Sequence, residues 1–295
     1  MSSWWPPAHG RATLHEVLAT VAATAASSPA GLPPRISRRG SVLCAATSTR
    51  ARAATQETRI ISTIDLGAFD ALTFDTYGTL IDWERGLLNA LQPVLAAHDV
   101  SATDDELLEL YAKHEADLES GIYLTYREVL ATALRRLCAD LGVDPTDPSV
   151  VDFAGSVPAW PAFPDTAAAL RRLATRYKLG VITNCDDDLF AGSNRRLGVR
   201  FDWIVTAQQC RGYKPRQRNF ELAFERIDVP RERILHVAQS LFHDHVPAKA
   251  LGMTSVWVDR RRGRTGFGAT PPAEATPDLV VTSIRELADL ALGPA

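Results

Sequence analysis

The chain has 295 residues, 46% of them hydrophobic and 23% charged, which is ordinary for a globular protein with one large core or two smaller ones. Its net charge is −3, but residues 1–59 hold seven Arg, no Lys and two Glu, so the remainder is acidic, and a nucleic-acid partner is not expected. No apolar run approaches the roughly 20 residues of a membrane span, and the four widely spaced cysteines argue against a zinc site or a disulfide framework.

Residues 1–59 are rich in Ala, Ser, Thr, Pro and Arg and poor in acids. Because such a segment buries too little apolar area to offset its ordering entropy, we expect it to be disordered and dispensable for stability. Arg-rich, Ser-rich N-termini are also typical of organellar transit peptides, while an overextended start site or a plain tail explains the composition equally well. The expected location is the cytoplasm, or an organelle if residues 1–59 act as a transit peptide.

From residue 65 onward, short apolar runs alternate with helical patterns. The runs that predict strands are 69–75, 179–184, 203–207, 234–238, 254–259 and 278–281. The patterns that predict helices are 165–177, 187–197, 217–227, 244–251 and 283–292. This alternation predicts an α/β fold with a Rossmann-like open parallel sheet and helices on both faces.

One connection interrupts the alternation. Between residues 82 and 163 there is no convincing strand, only three helix-period segments closed by Gly, Pro or polar turns. We therefore predict an inserted all-helical cap domain at 84–159, with 60–83 and 160–295 forming the α/β core. Because ligands of open parallel sheets bind beyond the carboxyl ends of the strands, this cap would cover the end of the first strand.

Polar residues follow the ends of four predicted strands. Asp75 ends the first strand, and Gly78 allows the sharp turn that leads away from it. Taken alone, Asp75 is explained equally well as a cap for that turn. Further polar and aromatic residues follow the later strands, however, and the parallel sheet brings them to the same edge: Thr183, Asn184, Lys214, Ser240, Phe242 and Asp244.

In order and spacing, these segments resemble the four motifs of the haloacid dehalogenase superfamily, over residues 69 to about 290. Phosphatases of this superfamily have a second carboxylate two residues after the first, where this chain has Tyr77. Its magnesium-dependent members have a carboxylate where this chain has Gln239. The first motif, at 74–80, is instead similar to that of the L-2-haloacid dehalogenases, which work without metal. The resemblance thus implies a hydrolase with no metal and no cofactor.

The resemblance also implies a mechanism. Asp75 would displace halide from carbon 2 of a short 2-haloalkanoic acid with inversion and form an aspartyl ester, which water would then cleave. Lys214 would keep Asp75 and Asp244 ionised, and Thr79 would hydrogen-bond the Asp75 carboxylate. Asp244 would position and deprotonate the hydrolytic water.

Five further residues are expected to contact the substrate. Thr183 and Asn184 would donate to the departing halide or to the substrate, Tyr77 and Phe242 would form apolar walls, and Ser240 lies in the same motif. The expected partner is a small-molecule substrate rather than nucleic acid or a membrane. Related dehalogenases are often dimers, so a homodimer is one expectation.

Simpler interpretations of these residues remain open in the sequence. Lys214 precedes Pro215 and is also explained as an exposed loop lysine, and Asp244 as only the N-cap of a helix. The run His243-Asp244-His245 suggests a metal site, although side chains of adjacent residues diverge and rarely share one ion.

Two departures weaken the resemblance to the dehalogenases. The substrate-binding and halide-binding arginine of their cap falls on Ala112 here, and a phenol six residues beyond the motif lysine is Phe220. Either one of three nearby basic residues replaces the arginine, or the substrate is not a simple 2-haloacid. Those basic residues are Lys113, His114 and Arg127.

Three functional hypotheses follow. The first is a metal-independent dehalogenase-like hydrolase, the second a magnesium-dependent small-molecule phosphatase, and the third a non-catalytic binding protein on this fold. Tyr77 and Gln239 argue against the second hypothesis, while Ala112 and Phe220 keep the third open.

Overall fold

The structure is a computed structural model that describes residues 64–144, 146, 153–264, 266 and 268–294. The predicted leader, 1–59, lies outside the described residues. Within them, six strands form one parallel sheet in the order β3-β2-β1-β4-β5-β6. The strands are β1 (Ala71–Phe74), β2 (Lys178–Thr183), β3 (Trp203–Thr206), β4 (Ile234–Ala238), β5 (Thr254–Val258) and β6 (Leu279–Val281).

The strands lie where the apolar runs predict them, with ends that differ by at most two residues. The two central strands, β1 and β4, are buried along their whole length. Burial on both faces explains why β1 is a continuous apolar run rather than an alternating one. In register, Phe74 at the end of β1 lies opposite Val181 of β2 and Val237 of β4, so these three strands end at a common edge.

Helices cover both faces of the sheet. In the described part of the chain they are α1 (Trp83–Ala97), α2 (Asp104–Ser120), α3 (Tyr126–Asp140), α4 (Thr166–Leu173), α5 (Asp187–Leu197), α6 (Ala207–Cys210), α7 (Arg218–Arg226), α8 (Val246–Ala250) and α9 (Ile284–Leu292). Residues of α7 and α8 pack on one face, around Ala71 and Ile182. Residues of α4, α5 and α9 pack with the opposite face, around Leu72 and Phe74. The predicted fold class is therefore confirmed.

The helices α1 to α3, called the cap below, lie in the connection between β1 and β2, ahead of α4. Thr103 and Thr125 begin α2 and α3 with capping boxes, a local signal that fixes both helix starts. The Asp186 carboxylate, from the loop after β2, accepts the backbone N–H groups of Tyr126 and Arg127, both at 2.9 Å. The loop after β2, which belongs to the core, thus caps the N-terminus of α3, which belongs to the cap. The exact domain boundaries at 84 and 159 stay a prediction.

The loop after β4 differs from the prediction. Instead of one helix over 244–251, a π-helical turn (Leu241–His245) precedes α8. Ser240 begins this turn and accepts the His243 backbone N–H at 2.9 Å. None of the helices in the described ranges is both long and apolar enough to cross a membrane.

Gly86 of α1 tests the packing between the cap and the segment that returns to the core. A Cβ at this position would overlap the Trp160 ring, which is buried. Alanine favours the helix by about 1 kcal/mol, but overpacking costs about 1–3 kcal/mol. We expect Gly86→Ala to lower the unfolding free energy by about 1 kcal/mol in urea titrations. In Gly121→Ala, where the nearest atom is 3.5 Å away, stability should barely change; equal losses in both variants would contradict the packing argument.

Candidate active site

Asp75 immediately follows β1, at the carboxyl edge of the sheet. Its backbone N–H continues the strand ladder to the Val237 carbonyl at 3.1 Å. Both carboxylate oxygens accept hydrogen bonds, Oδ1 from the Lys214 ammonium at 2.9 Å and Oδ2 from the Thr79 hydroxyl at 2.7 Å. Thr79 is itself held by the Gln239 backbone N–H, which donates to its Oγ1 at 2.8 Å. The Asp75 carboxylate is therefore fixed in position.

The turn after Asp75 needs glycine. Gly78 has φ +90°, a conformation that other residues adopt only with strain. A Cβ there would also lie 3.1 Å from both Gln239 Oε1 and Trp83 Nε1. This turn directs Thr79 back toward Asp75, as the sequence predicts for a sharp turn at this position.

Lys214 joins the ends of several strands. Its ammonium donates to Asp75 Oδ1 at 2.9 Å, to Asp244 Oδ1 at 2.7 Å and to the Ile182 carbonyl at 2.9 Å. Only 1% of the residue is exposed. The interpretation of Lys214 as an exposed loop lysine is therefore wrong. The Asn184 side chain holds the Lys214 backbone from both sides, accepting its N–H at 2.7 Å and donating to its carbonyl at 3.1 Å.

Asp244 is buried and has a second partner that the sequence motifs did not indicate. His236, in the middle of β4, shares a hydrogen bond of 3.0 Å with Asp244 Oδ1 through Nε2 and another with Thr73 Oγ1 through Nδ1. Phe220 packs edge-on against the His236 ring at 5.1 Å, behind the site. Asp244 Oδ1 hydrogen-bonds Lys214 and His236, and the π-helical turn is capped by Ser240, so the interpretation of Asp244 as only a helix cap is wrong.

Lys214 and the two carboxylates that it binds form a buried group whose charges are unequally stabilised. Burial opposes ionisation of Asp244, but the Lys214 charge and the hydrogen bonds from His236 and Lys214 outweigh it and lower its pKa. For Asp75, burial and the Asp244 charge outweigh Lys214 and raise its pKa. Burial also favours the neutral amine of Lys214, but the two carboxylates raise its pKa. Lys214 thus holds Asp244 ionised more firmly than Asp75.

A cavity of about 40 Å³ lies over Asp75, with room for a few water-sized groups. Three of the five residues predicted to contact substrate line it, namely Tyr77, Asn184 and Ser240. The other two do not: Thr183 is fully buried, and the Phe242 ring packs edge-on against the His243 ring, with 4.9 Å between the ring centroids. His243 lines the cavity instead. Roles for these residues in binding substrate stay predictions.

The Tyr77 hydroxyl is engaged away from Asp75. It hydrogen-bonds Ser193 Oγ at 3.0 Å and accepts from the Cys185 thiol at 3.3 Å. Burial raises the pKa of this phenol far above its ordinary value. Its ring packs edge-on against Trp160 at 5.8 Å and near Tyr126 of the cap at 6.3 Å. Tyr77 therefore forms a wall of the cavity and remains a neutral phenol.

The cap side of the cavity contains two carboxyl groups that the sequence motifs did not indicate. Glu115 and Glu119 lie one turn apart on α2, are nearly fully buried and line the cavity. Both occupy the buried face of the helix that also contains Leu108 and Tyr111. A carboxylate at such core-facing positions was the available sequence signal.

Glu115 has two hydrogen-bond donors and Glu119 one. The hydroxyls of Tyr111 and Tyr126 donate to Glu115 Oε1 at 3.1 and 3.0 Å. Asn184 donates to Glu119 Oε2 at 3.2 Å. Burial raises the pKa of Glu115 to about 7, although the two tyrosines favour the ionised form. Burial, together with the Glu115 charge, raises the pKa of Glu119 well above its ordinary value.

None of the three residues proposed to replace the cap arginine is among the described residues that line the cavity. Lys113 is exposed. His114 pairs with Asp140 at 2.8 Å, and Arg127 pairs with Asp188 at 2.7 Å on the surface. Ala112 is buried in the cap. Replacement of the arginine by any of the three is therefore not supported.

The run His243-Asp244-His245 does not converge on one point. His243 lies 3.8 Å from Glu119, and Asp244 faces Lys214 and His236. His245 bonds to Ser255 and the Ala238 carbonyl. Among the described residues, no group of three or more His, Cys, Asp or Glu side chains is arranged to hold a metal ion.

Comparisons with known proteins find clear relatives. A family model for haloacid dehalogenase-like hydrolases matches residues 69–250. The (S)-2-haloacid dehalogenase of Pseudomonas fluorescens is 27% identical over 225 residues, 73% of this chain and 93% of that protein. The 5-amino-6-(5-phospho-D-ribitylamino)uracil phosphatase of Escherichia coli K12 is 26% identical over 240 residues, 76% of this chain and 97% of that protein. The solved L-2-haloacid dehalogenase of Xanthobacter autotrophicus matches with a TM-score of 0.64 and 22% identity, covering 77% of this chain and 100% of that one.

The raised pKa of Glu115 makes stability depend on pH. A carboxyl whose folded pKa is about 7 stabilises the fold fully below its unfolded pKa of 4.5, and this contribution is lost as pH rises through 7. Between about pH 5 and pH 8, the unfolding free energy of the parent chain should fall more than that of Glu115→Gln, which keeps an acceptor for both tyrosines. The two decreases should differ by at most about 3 kcal/mol. Urea titrations at both pH values measure this difference.

Glu109→Gln is the matched control, because Glu109 is an exposed carboxylate on the same helix. It should keep the pH dependence of the parent chain. Because the Glu115 charge also raises the pKa of Glu119, Glu115→Gln should weaken the pH dependence that Glu119 contributes, in the same direction. If Glu115→Gln and the parent chain lose the same stability over this range, Glu115 does not titrate as described.

Proposed function

The chain belongs to the haloacid dehalogenase-like hydrolase family, and we propose that it displaces halide from carbon 2 of a short 2-haloalkanoic acid, or a close derivative of one, through an ester on Asp75 and without a metal ion. Its identity as a hydrolase of this family confirms the resemblance inferred from its motifs. The observation that carries the finer proposal is the placement of Asp75 in the cavity, held between Lys214 and Thr79.

The first step requires an ionised and oriented carboxylate. Lys214 and Thr79 each bind one oxygen of Asp75, which limits its rotation and favours a single line of attack. Burial raises the pKa of Asp75, so the step requires a pH above that pKa, and the ionised form is then more basic, and a stronger nucleophile, than an ordinary aspartate. The small cavity suits a short substrate.

The second step requires a water molecule directed at the ester carbonyl. Asp244 Oδ1 is occupied by Lys214 and His236, whereas Oδ2 has no hydrogen-bond partner among the described residues. An unpartnered buried acceptor favours a donor in the cavity. In this proposal, Oδ2 orients the hydrolytic water and accepts its proton, and Lys214 stabilises the charge that moves between the two aspartates.

A phosphatase reaction is the main alternative, because a phosphatase is among the relatives at a similar identity. Phosphoryl transfer to water releases an alkoxide that needs a proton donor. The Tyr77 hydroxyl, at the position of that donor, faces Ser193 and Cys185 and has a strongly raised pKa. A halide leaves without protonation, so the absence of a carboxylic acid at Tyr77 is compatible with dehalogenation.

The donor set is also poorly suited to Mg²⁺. Both oxygens of Asp75 and one oxygen of Asp244 already accept hydrogen bonds, and the ammonium of Lys214 lies between the two carboxylates. The Gln239 side chain lies beside Gly78, outside the lining of the cavity. The one carboxylate oxygen without a hydrogen-bond partner among the described residues belongs to Asp244, which the Lys214 ammonium already binds, and this cation would repel Mg²⁺. This mismatch supports the metal-independent form of the proposal.

The covalent role of Asp75 predicts the position of an isotopic label. In a single turnover of 2-chloropropionate or 2-chloropropionamide in ¹⁸O-water, with enzyme in excess, cleavage of the ester should leave ¹⁸O in the Asp75 carboxylate. Mass spectrometry of the peptide that contains Asp75 measures it. Asp75→Asn should lose at least about 1000-fold in the rate of halide release while its melting temperature stays close to that of the parent chain.

Asp228→Asn controls for the substitution itself, because Asp228 is exposed and pairs with Lys178 on the surface. It should release halide at the parent rate. Label found only in the product alcohol would mean that water attacks the substrate directly. Turnover by Asp75→Asn at the parent rate would remove Asp75 from the chemistry.

Chelation tests the metal-independent form separately. Because the carboxylates are occupied by Lys214 and Thr79, halide release should persist after dialysis against EDTA and should not rise on addition of Mg²⁺. The same protein should be screened with p-nitrophenyl phosphate, with and without Mg²⁺. Magnesium-dependent phosphate release without halide release would favour the phosphatase alternative.

A further inference from the structure

The lining of the cavity is strongly acidic. Of the charged groups among its described residues, four are carboxyls and one is an ammonium. Asp75 and Asp244 lie on the core side, Glu115 and Glu119 lie on the cap side, and Lys214 is the ammonium. A 2-haloalkanoate ion entering this space would add another negative charge.

Lys214 offers no free donor to such an anion. Its three N–H groups are used by Asp75, Asp244 and the Ile182 carbonyl, and the residue is 99% buried. Binding a substrate carboxylate would require Lys214 to release one of the aspartates whose charge it stabilises. The ammonium therefore serves the two aspartates and not the substrate.

The other basic groups near the cap do not supply a cation either. Burial lowers the pKa of His243 to about 4, so its imidazole is neutral at neutral pH. Arg127 pairs with Asp188, and Lys113 is exposed. The sequence allowed two explanations for the missing arginine, a replacement cation or a different substrate, and these positions favour the second.

Glu119 is the less satisfied of the two cap carboxyls. Glu115 accepts two tyrosine hydroxyls, whereas Glu119 accepts one hydrogen bond among the described residues, from Asn184 at 3.2 Å. The His243 ring nitrogen is 3.8 Å away, beyond hydrogen-bond distance. Glu119 and the unpartnered Asp244 Oδ2 thus give the cavity hydrogen-bond acceptors that favour donors on a ligand.

We propose that Glu119 and Glu115 select a substrate whose non-reacting end is an N–H donor, uncharged or cationic, so that the compound dehalogenated is a short 2-halo amide or amine rather than a free 2-haloalkanoate. This rests on the proposed function, because it assumes the same attack by Asp75. A primary amide has nearly the same size and shape as a carboxylate. It differs by two N–H donors and by the lack of charge, which are the properties that the cap carboxyls distinguish.

The reaction balances without a further reactant. An Asp75 oxygen forms a bond to carbon 2 as the carbon–halogen bond breaks and the halide leaves with the electron pair. Water then adds to the ester carbonyl of Asp75 while Asp244 takes one of its protons, and the carbonyl–oxygen bond breaks as the leaving oxygen takes that proton from Asp244. The second proton of the water is released when the Asp75 carboxyl ionises again. The products are the 2-hydroxy amide, one halide ion and one proton, and the Asp75 carboxylate is restored.

The test compares 2-chloropropionamide with 2-chloropropionate on the full-length chain at several pH values between about 6 and 9, because the repulsion of an anion grows as the cap carboxyls ionise. Halide release is measured for both compounds. We expect kcat/KM for the amide to exceed that for the acid by at least about ten-fold, from the repulsion of two like charges in a buried site. This comparison uses no variant and does not depend on one folding.

Glu119→Gln should then lower the ratio of amide to acid by about ten-fold or more, mainly by improving the acid, because one repulsive charge is removed. Glu109→Gln, an exposed carboxylate on the same helix, should leave the ratio unchanged. A merely structural role for Glu119 would lower the rates for both compounds equally and leave the ratio as it was.

A binding measurement separates the two proposals. Lactamide and lactate have a hydroxyl in place of chlorine, so they occupy the site without dehalogenation. Lactamide should raise the melting temperature of the parent chain more than lactate at equal concentration, since a ligand that binds the folded state stabilises it. Stabilisation by lactamide with halide released from neither compound would overturn dehalogenation, and with it the amide as the compound dehalogenated, and would leave only the preference of the cavity for an N–H donor. Faster release from the acid, with a ratio unchanged in Glu119→Gln, would overturn the inference alone.

Discussion

The ammonium of Lys214 is the interaction on which the rest of the site depends. It binds Asp75 after β1, the Ile182 carbonyl of β2 and Asp244 after β4, while Lys214 itself follows β3. One buried cation thus fixes the relative positions of four strand ends. Removing it would leave two buried carboxylates uncompensated, a loss that typically costs about 3–5 kcal/mol. The same contacts orient the Asp75 carboxylate, so in the proposed reaction stability and reactivity are not separable at Lys214.

Much of this arrangement could be predicted from the sequence. Parallel strands buried on both faces are continuous apolar runs, and the runs at 69–75 and 234–238 identify the two central strands. Since parallel strands end at one edge, the order of Asp75, Asn184, Lys214 and Asp244 was sufficient to bring them together. Thr183 and Phe242 do not line the cavity, whereas their neighbours do, namely Asn184, which the sequence also predicted, and His243, which it did not. Side chains of adjacent residues on a strand or turn point in different directions, which explains the difference within each pair.

The cap side could not be predicted in the same way. Which residues of α2 face Asp75 depends on how that helix lies over the core, and this is set by long-range contacts. Among these, the Tyr213 hydroxyl donates to the Leu124 carbonyl at 2.8 Å, and Asp186 caps α3. His236 was missed for a related reason, since a polar residue within an apolar strand has no motif and acquires a role only through Asp244 and Thr73.

Burial of the two cap carboxyls is the feature that most needs a functional explanation. Glu115 alone has a structural one, because a buried carboxyl with two tyrosine donors is a satisfied polar group. Glu119 is buried to a similar degree with a single long hydrogen bond, so it lowers stability relative to an apolar residue of similar size. A leucine at that position would continue the apolar face of α2. The cost of burying Glu119 is offset once a ligand supplies N–H donors to it, and a carboxylate ligand would increase that cost instead.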